Sequence, residues 1–229
     1  MKKYELTSET KIVFGHILYR IKALSSFGCV SAGDLGGFLE SEKNLSQNGN
    51  AWVYGNAEVY GNAEVYGNAW VSGNAEVSGN AEVSGNARVS GDARVYGNAW
   101  VSGNAEVSGN AEVSGNAWVS GNAEVSGDAR VYGNARVYGD ASVYGNAEVS
   151  EIGAIFWIGA IGSRNDTATF FRCRDGSIKV VCGCFFGNLD EFAKKVRKTH
   201  GDNDHAKVYM LAIEMAKIRI GDKKEKTEE

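Results

Sequence analysis

From Gly49 to Ser150 the apolar positions follow one rule. The unit Gly-Asn/Asp-Ala-x-Val-Tyr/Ser recurs seventeen times without insertion or deletion. Ala and Val stand two apart, so in a short extended segment both point to one face, and the residue between them points to the other. That outward residue is Glu, Arg, Trp or, once, Ser142. Val favours the extended backbone, and Ala lets facing walls approach. Tyr/Ser-Gly-Asn/Asp then makes a corner, with Gly free to take positive φ and Asn or Asp expected to tolerate the left-handed region. Three sides and three corners close a coil of about eighteen residues, the signature of a β-solenoid.

Stacked coils pair as parallel strands ~4.8 Å apart, so the repeats predict a shaft of roughly 27 Å. Asn at successive corners can form ladders. Leu39 and Leu45 are six apart and extend the pattern upstream. The step of eight from Leu45 to Val53 reads as one two-residue corner insertion.

The fold class is therefore mainly β, a parallel β-helix with different units at its ends. Residues 1–33 read as an N-terminal β cap, with a hairpin over 11–24 turning at Gly15-His16. A solenoid's open end must be covered, and this segment is the natural cover. Residues 34–150 form the β-helix. Residues 151–220 read as a small α+β unit of three strands and two helices. These are Ala154–Ile161, Thr167–Cys173 and Ser177–Cys184, a helix capped by Asn188 and Glu191 and ended by Gly201, and a second helix from about Asp204 to Arg219. In that second helix Val208, Leu211, Met215 and Ile218 fall on one stripe, the expected core face. Residues 221–229 are a charged tail, expected to be disordered.

Charge is uneven along the chain. Residues 49–150 hold four Arg and no Lys against eleven Asp and Glu. Such an acidic shaft has no electrostatic footprint for nucleic acid. No apolar run approaches the ~18 residues of a membrane span, and the polar Tyr4–Thr10 segment is no signal-peptide core. The four cysteines are irregularly spaced, which places the chain in a reduced, cytoplasmic setting. Cys-x-Cys with no second paired motif is not a zinc spacing, so no metal and no cofactor is expected.

Residues eighteen apart stack, and this writes the outer ladders. Trp52 and Trp70 head one face below Arg88; Trp100 and Trp118 share another. On the face of Glu58, Glu76, Arg94, Glu112, Arg130 and Glu148, each Arg lies between two Glu. The four Trp are the interface candidates, able to stack or to meet Arg88 through a cation–π contact. Tyr54, Tyr60 and Tyr66 ring the first full coil, and Tyr132, Tyr138 and Tyr144 the last. They read either as shields where flanking units dock or as partner contacts.

The repeat resembles the hexapeptide-repeat superfamily, whose fold is a left-handed parallel β-helix; the handedness comes from that resemblance. Leu35-Gly-Gly-Phe-Leu-Glu-Ser-Glu-Lys-Asn-Leu-Ser-Gln47, followed by the Val-Tyr-Gly-Asn-Ala runs, is similar to YdcK-like proteins of bacteria and prophages. The resemblance implies a bacterial or phage origin and, by analogy with the superfamily, a homo-oligomer in the form of a trimer. Acyltransferases of that superfamily use a His base and an extruded loop. Here His16, His200 and His205 all lie outside the repeats, and the seventeen hexads carry no loop. The shaft is therefore not expected to be catalytic.

Specific binding is expected in the C-terminal unit. Ser163, Arg164, Asp166 and Thr167 crowd one loop, and His200 ends the first helix. A Cys182/His200 nucleophile–base pair requires that helix end to fold back on the strand. Three functions stay open: an interaction scaffold with a protein partner, a phage protein acting on its host by sequestration or acidic mimicry, and an acyltransferase-like enzyme.

Overall fold

The computed structural model describes residues 2–221, and the tail expected at 221–229 lies outside them from residue 222 on. Each hexad contributes a two-residue strand of the outward residue and Val, from Trp52–Val53 to Glu148–Val149. Strands eighteen residues apart pair in parallel, as Trp70↔Arg88 and Val71↔Val89 do. Three sheets result, one per face, and every hexad Ala and Val is buried along the axis.

The corner is a tight turn closed by the Ala N–H donating to the carbonyl two residues before Asn, as from Ala57 to Tyr54 at 3.1 Å. Only the Gly has positive φ, 61° at Gly55, and the corner Asn does not. That is the pattern of a turn with Gly at its first central position, so Asn is not needed for left-handed backbone. Its side chain builds the ladder instead. Asn50, Asn68, Asn86, Asn104 and Asn122 each donate to the residue eighteen ahead, ending at Asp140. Asp accepts but cannot donate, so each Asp closes a ladder. Asp92 and Asp128 do so for Asn74 and Asn110.

The upstream Leu residues take the expected places. Leu39 pairs beside Val59 and Leu45 beside Val65, each twenty residues apart, so the offset of two is absorbed between Leu45 and Val53. A short 3-10 turn, Glu42–Asn44, fills the missing corner. The buried Asn44 amide donates to the Gly61 and Ala63 carbonyls and so keeps the exposed ladder paired.

The cap hairpin is longer than its sequence pattern shows. Strands Tyr4–Val13 and His16–Ala23 are antiparallel, and the turn is Phe14-Gly15, not Gly15-His16. Both turn residues have positive φ, 47° and 88°, the geometry that matches the twist of a two-residue hairpin. His16 is consequently a strand residue. Its Nδ1 lies 2.8 Å from Glu40 Oε1 and its ring packs against Tyr60. The hairpin continues one shaft face through Leu35–Leu39, which pairs antiparallel with the cap and parallel with Glu58–Val59.

Lys3 and Tyr4 seal the bottom of the shaft. Lys3 is 5% exposed, and its Nζ donates to the Ala51 carbonyl at 2.9 Å. Burial pushes its pKa down from 10.5 to about 8. The unfolded chain therefore binds the Lys3 proton more tightly than the folded one. The Lys3 contribution to stability should rise between about pH 8 and 10, by ~1–3 kcal/mol. The tyrosines oppose it as pH approaches and passes 10, because burial raises Tyr4 and Tyr60 while unfolded tyrosines ionise. Denaturation at pH 8 and 10 should show wild type gaining stability relative to Lys3→Met, whose tyrosines titrate alike.

At the other end, strands Ile155–Ile161, Asp166–Arg172, Ile178–Cys182 and Phe185–Asn188 form an antiparallel sheet in chain order. The fourth strand was hidden in the sequence behind the Cys-Gly-Cys turn. Helix α1, Leu189–His200, starts at the expected capping box and ends at Gly201, and α2 spans Asp204–Ile220. Ala168 and Phe170 face the helices, while Phe171 and Cys173 join the shaft core. Thr169 Oγ1 accepts the otherwise free Ser142 N–H at 3.1 Å. Among the described residues no helix is long and apolar enough to cross a membrane.

Candidate functional site

The four Trp part company. Trp52 is 1% exposed beneath the cap, edge-on to Tyr4 and Phe27, so it is core and not an interface residue. The hairpin folds over the first coil and converts its outward position into an inward one. Trp52 and Trp70 do not stack on each other; Tyr54 meets both. Arg88 leaves Trp70 and pairs with Glu106 at 3.2 Å. Trp100 and Trp118 do stack, centroids 5.1 Å apart and planes 8° off parallel, with Arg136 over the Trp118 ring. The expected ion pairs form on the neighbouring face, Arg94 to Glu76 and Arg130 to Glu112; exposed pairs of this kind contribute ~0–1 kcal/mol.

The Tyr rings serve partly as docking shields. Tyr60 packs beneath the cap, Tyr138 meets Trp157 edge-on, and Tyr144 meets Phe186. Tyr66 and Tyr132 instead donate to Glu82 and Glu148.

The C-terminal unit holds a cleft of about 210 Å³ between its sheet and helices. The loop Gly162–Asn165 brings Ser163 and Arg164 to its rim, and Asp166 follows at the strand start. Two glycines make this approach possible. Gly162 has φ 70°, and a Cβ there would lie within 2 Å of Tyr209 Oη. Gly183 lies under the charged heads; a Cβ on it would sit 3.4 Å from Asp166 Oδ2 and 3.7 Å from Arg164 Nη1. Helix α1 supplies Lys195 and Thr199, four apart on one helical face, and His200 at its last turn, and α2 supplies Tyr209. Phe185 and Phe192 complete an aromatic floor.

Of the loop residues singled out by sequence, Ser163, Arg164 and Asp166 line the cleft together with His200. Thr167 does not: its Oγ1 is turned toward Gly159 on the neighbouring strand. Lys195, Phe185, Phe192 and Tyr209 escaped the sequence reading. For Phe192 and Lys195 the signal was the phase of α1, which puts Phe192, Lys195, Val196 and Thr199 on the side facing the cleft; Phe185 and Tyr209 lie on other elements and had none.

The helix does fold back over the strand, so Cys182 and His200 share the cleft. The thiol is not activated, however. Cys182 Sγ lies 3.7 Å from Tyr209 Oη, and burial raises its pKa above the ordinary thiol value. A nucleophilic cysteine needs the opposite shift. His200 stacks on the Tyr209 ring at 5.8 Å and lies 5.7 Å from His205. Cys173 belongs to the shaft-side core, away from Cys182, and among the described residues no group of three potential ligands is placed to hold a metal.

Comparison with family models places the YdcK beta solenoid repeat on residues 81–95, 87–103, 93–109, 123–139 and 129–145. Every matched residue lies in the shaft. Comparison with curated proteins gives no match.

Proposed function

We propose that this YdcK-like repeat β-helix protein is a non-enzymatic interaction scaffold. The shaft is a rigid mount, and the C-terminal cleft reads one acidic side chain or terminal carboxylate of a partner protein. The observation that carries this is the convergence of Arg164, Lys195, Ser163 and His200 on a cleft of about 210 Å³ with an aromatic floor. That volume falls below the ~300–1,000 Å³ of ordinary cofactor and small-molecule pockets. It suits a single side chain. Two permanent cations against one carboxylate, Asp166, favour an anion, and an Arg guanidinium offers a carboxylate paired hydrogen bonds.

The shaft supports the same division of labour. Its hexads are near-copies, so a partner reading the shaft alone meets similar registers eighteen residues apart. Specificity is a difference of affinities, and near-degenerate sites supply little of it.

The test uses an array of random peptides probed with the full chain, followed by calorimetry on the peptides retained. Acidic peptides should be selected. Arg164→Ala should weaken them by ~1.5–3 kcal/mol, the worth of a charged hydrogen bond. Deleting residues 97–114, one whole coil, keeps the phase of both ends and should leave binding intact. If the deletion abolishes binding while Arg164→Ala does nothing, the shaft is the recognition surface and the proposal fails. It fails equally if no acidic peptide is retained.

A further inference from the structure

The cleft of the C-terminal unit is larger than a carboxylate needs. That group is three heavy atoms, and it leaves most of about 210 Å³ empty. The lining is sorted by depth. Phe192, Val196 and Tyr209 are buried, whereas Ser163, Arg164, Asp166, Lys195 and Thr199 are exposed at the rim. Arg164 and Lys195 enter no ion pair among the described residues.

The floor suits a ring. Phe192 lies edge-on to Tyr209 at 5.4 Å and tilted against Phe185 at 5.1 Å. A ring added to such an array gains buried area and ring–ring geometry together. Tyr209 reaches this floor because α2 packs on its small residues. Against the sheet and α1 the helix buries Ala206, Tyr209, Ala212, Ile213, Ala216 and Ile220. The stripe expected to be core, Val208, Leu211, Met215 and Ile218, is on the outside, with Leu211 65% exposed. Phe170 and Phe192 crowd the sheet side, and three alanines let the helix sit close where larger side chains would not fit.

Depth decides where on the ligand the anion must be. A ring with its charge at the far end, such as a phosphorylated tyrosine, would press that charge onto Phe192 and Val196, whose side chains offer no donor. A ring with its charge on the backbone side keeps the anion at the rim with Arg164 and Lys195. An aromatic residue at the end of a chain has this form, because its ring and its carboxylate branch from one Cα. Asp166 fits the same ligand. It would repel a bare acidic side chain, but a terminal residue carries an amide N–H beside its carboxylate. Asp166 Oδ1 accepts the Thr167 N–H at 2.8 Å, while Oδ2 has no hydrogen bond among the described residues. Gly183, the cleft residue next to Oδ2, has no side chain to cover it.

We propose that the cleft takes a chain-terminal aromatic residue of the partner protein. The ring lies on Phe192 and Tyr209, the carboxylate meets Arg164 and Lys195, and the amide N–H donates to Asp166. This rests on the reading of the cleft as a carboxylate site and names the residue that carries the carboxylate.

The test is calorimetry of the full chain with the peptide Gly-Ser-Gly-Ser-Gly-Phe, free at its carboxylate, up to about 1 mM. This peptide should bind, and its amidated form should bind at least tenfold more weakly. Ala in place of Phe should weaken binding at least tenfold, and Leu about threefold, the part owed to ring–ring contact. Asp166→Ala should weaken the Phe-ended peptide about threefold. Amidated Gly-Ser-Glu-Ser-Gly, which has no N–H beside its charge, should lose nothing in that variant, a contrast that a loss of folding would not give. Amidation without effect, or an amidated phosphotyrosine peptide that binds more tightly than the Phe-ended acid, would overturn the proposal. Equal binding of Phe-ended and Ala-ended acids, both lost in Arg164→Ala, would overturn it and leave the carboxylate reading standing. No binding by any carboxylate peptide would overturn both.

Discussion

Val101→Asp is expected to unfold the middle of the shaft, while Glu106→Ala, five residues on, should be nearly silent. Val101 is 0% exposed and paired on both sides, to Val83 and Val119. Its neighbours along the axis are Ala and Val, with no donor for a carboxylate. Burying an unpaired charge there costs several kcal/mol, beyond the ~1.5 kcal/mol lost with the Val side chain. In a solenoid each coil is held by the two beside it, so one damaged coil weakens two interfaces. Glu106 has a half-exposed side chain whose partner is Arg88 at 3.2 Å, a pair worth at most ~1 kcal/mol. Chemical denaturation followed by circular dichroism should show a loss above ~4 kcal/mol for the first and within ~1 kcal/mol for the second. Similar losses would mean that inward and outward positions have been exchanged.

The shaft was legible because its period admits one phase. Once Ala and Val are inward, every outward residue, corner and ladder partner follows by counting, including the two-residue offset at Leu45. Legibility ended wherever a second layer covered the repeat. Trp52 occupies an outward slot, and nothing in its own hexad marks it as the one that the cap would bury. The hairpin turn was misplaced by one residue because Phe14 is an improbable residue at positive φ, while Gly15 next to it draws attention.

In the C-terminal unit, local signals held and tertiary ones did not. The Asn188/Glu191 box and Gly201 act within one turn of chain and took their expected places. The inner face of α2 was misread because size was taken as a guide to burial, and the sheet surface instead selected small residues. The cleft was half visible. Ser163, Arg164 and Asp166 are close in sequence, but Lys195 and Tyr209 reach it only through the packing of two helices.

The corner glycines should divide into two classes that sequence cannot separate. Gly55 and Gly121 stand in the same place in their hexads, with φ 61° and 72°. Alanine at either must accept left-handed backbone, a cost of ~1–2 kcal/mol. The space beside them differs. A Cβ at Gly55 would lie 3.5 Å from the Gly73 carbonyl O, an ordinary contact, whereas at Gly121 it would lie 2.8 Å from the Gly139 N and 3.0 Å from its O. Those atoms are backbone of the next coil, fixed by the Asn122 N–H donating to the Gly139 carbonyl at 2.8 Å and by the Asn122–Asp140 ladder bond. Relief requires the coils to separate, which breaks both bonds and opens the axial packing. Overpacking of this kind adds ~1–3 kcal/mol. Gly121→Ala should therefore cost ~2–5 kcal/mol and Gly55→Ala ~1–2 kcal/mol, measured by denaturation of the two variants side by side. Equal losses would show that turn conformation alone selects glycine here, and that the coils have slack to part at no cost.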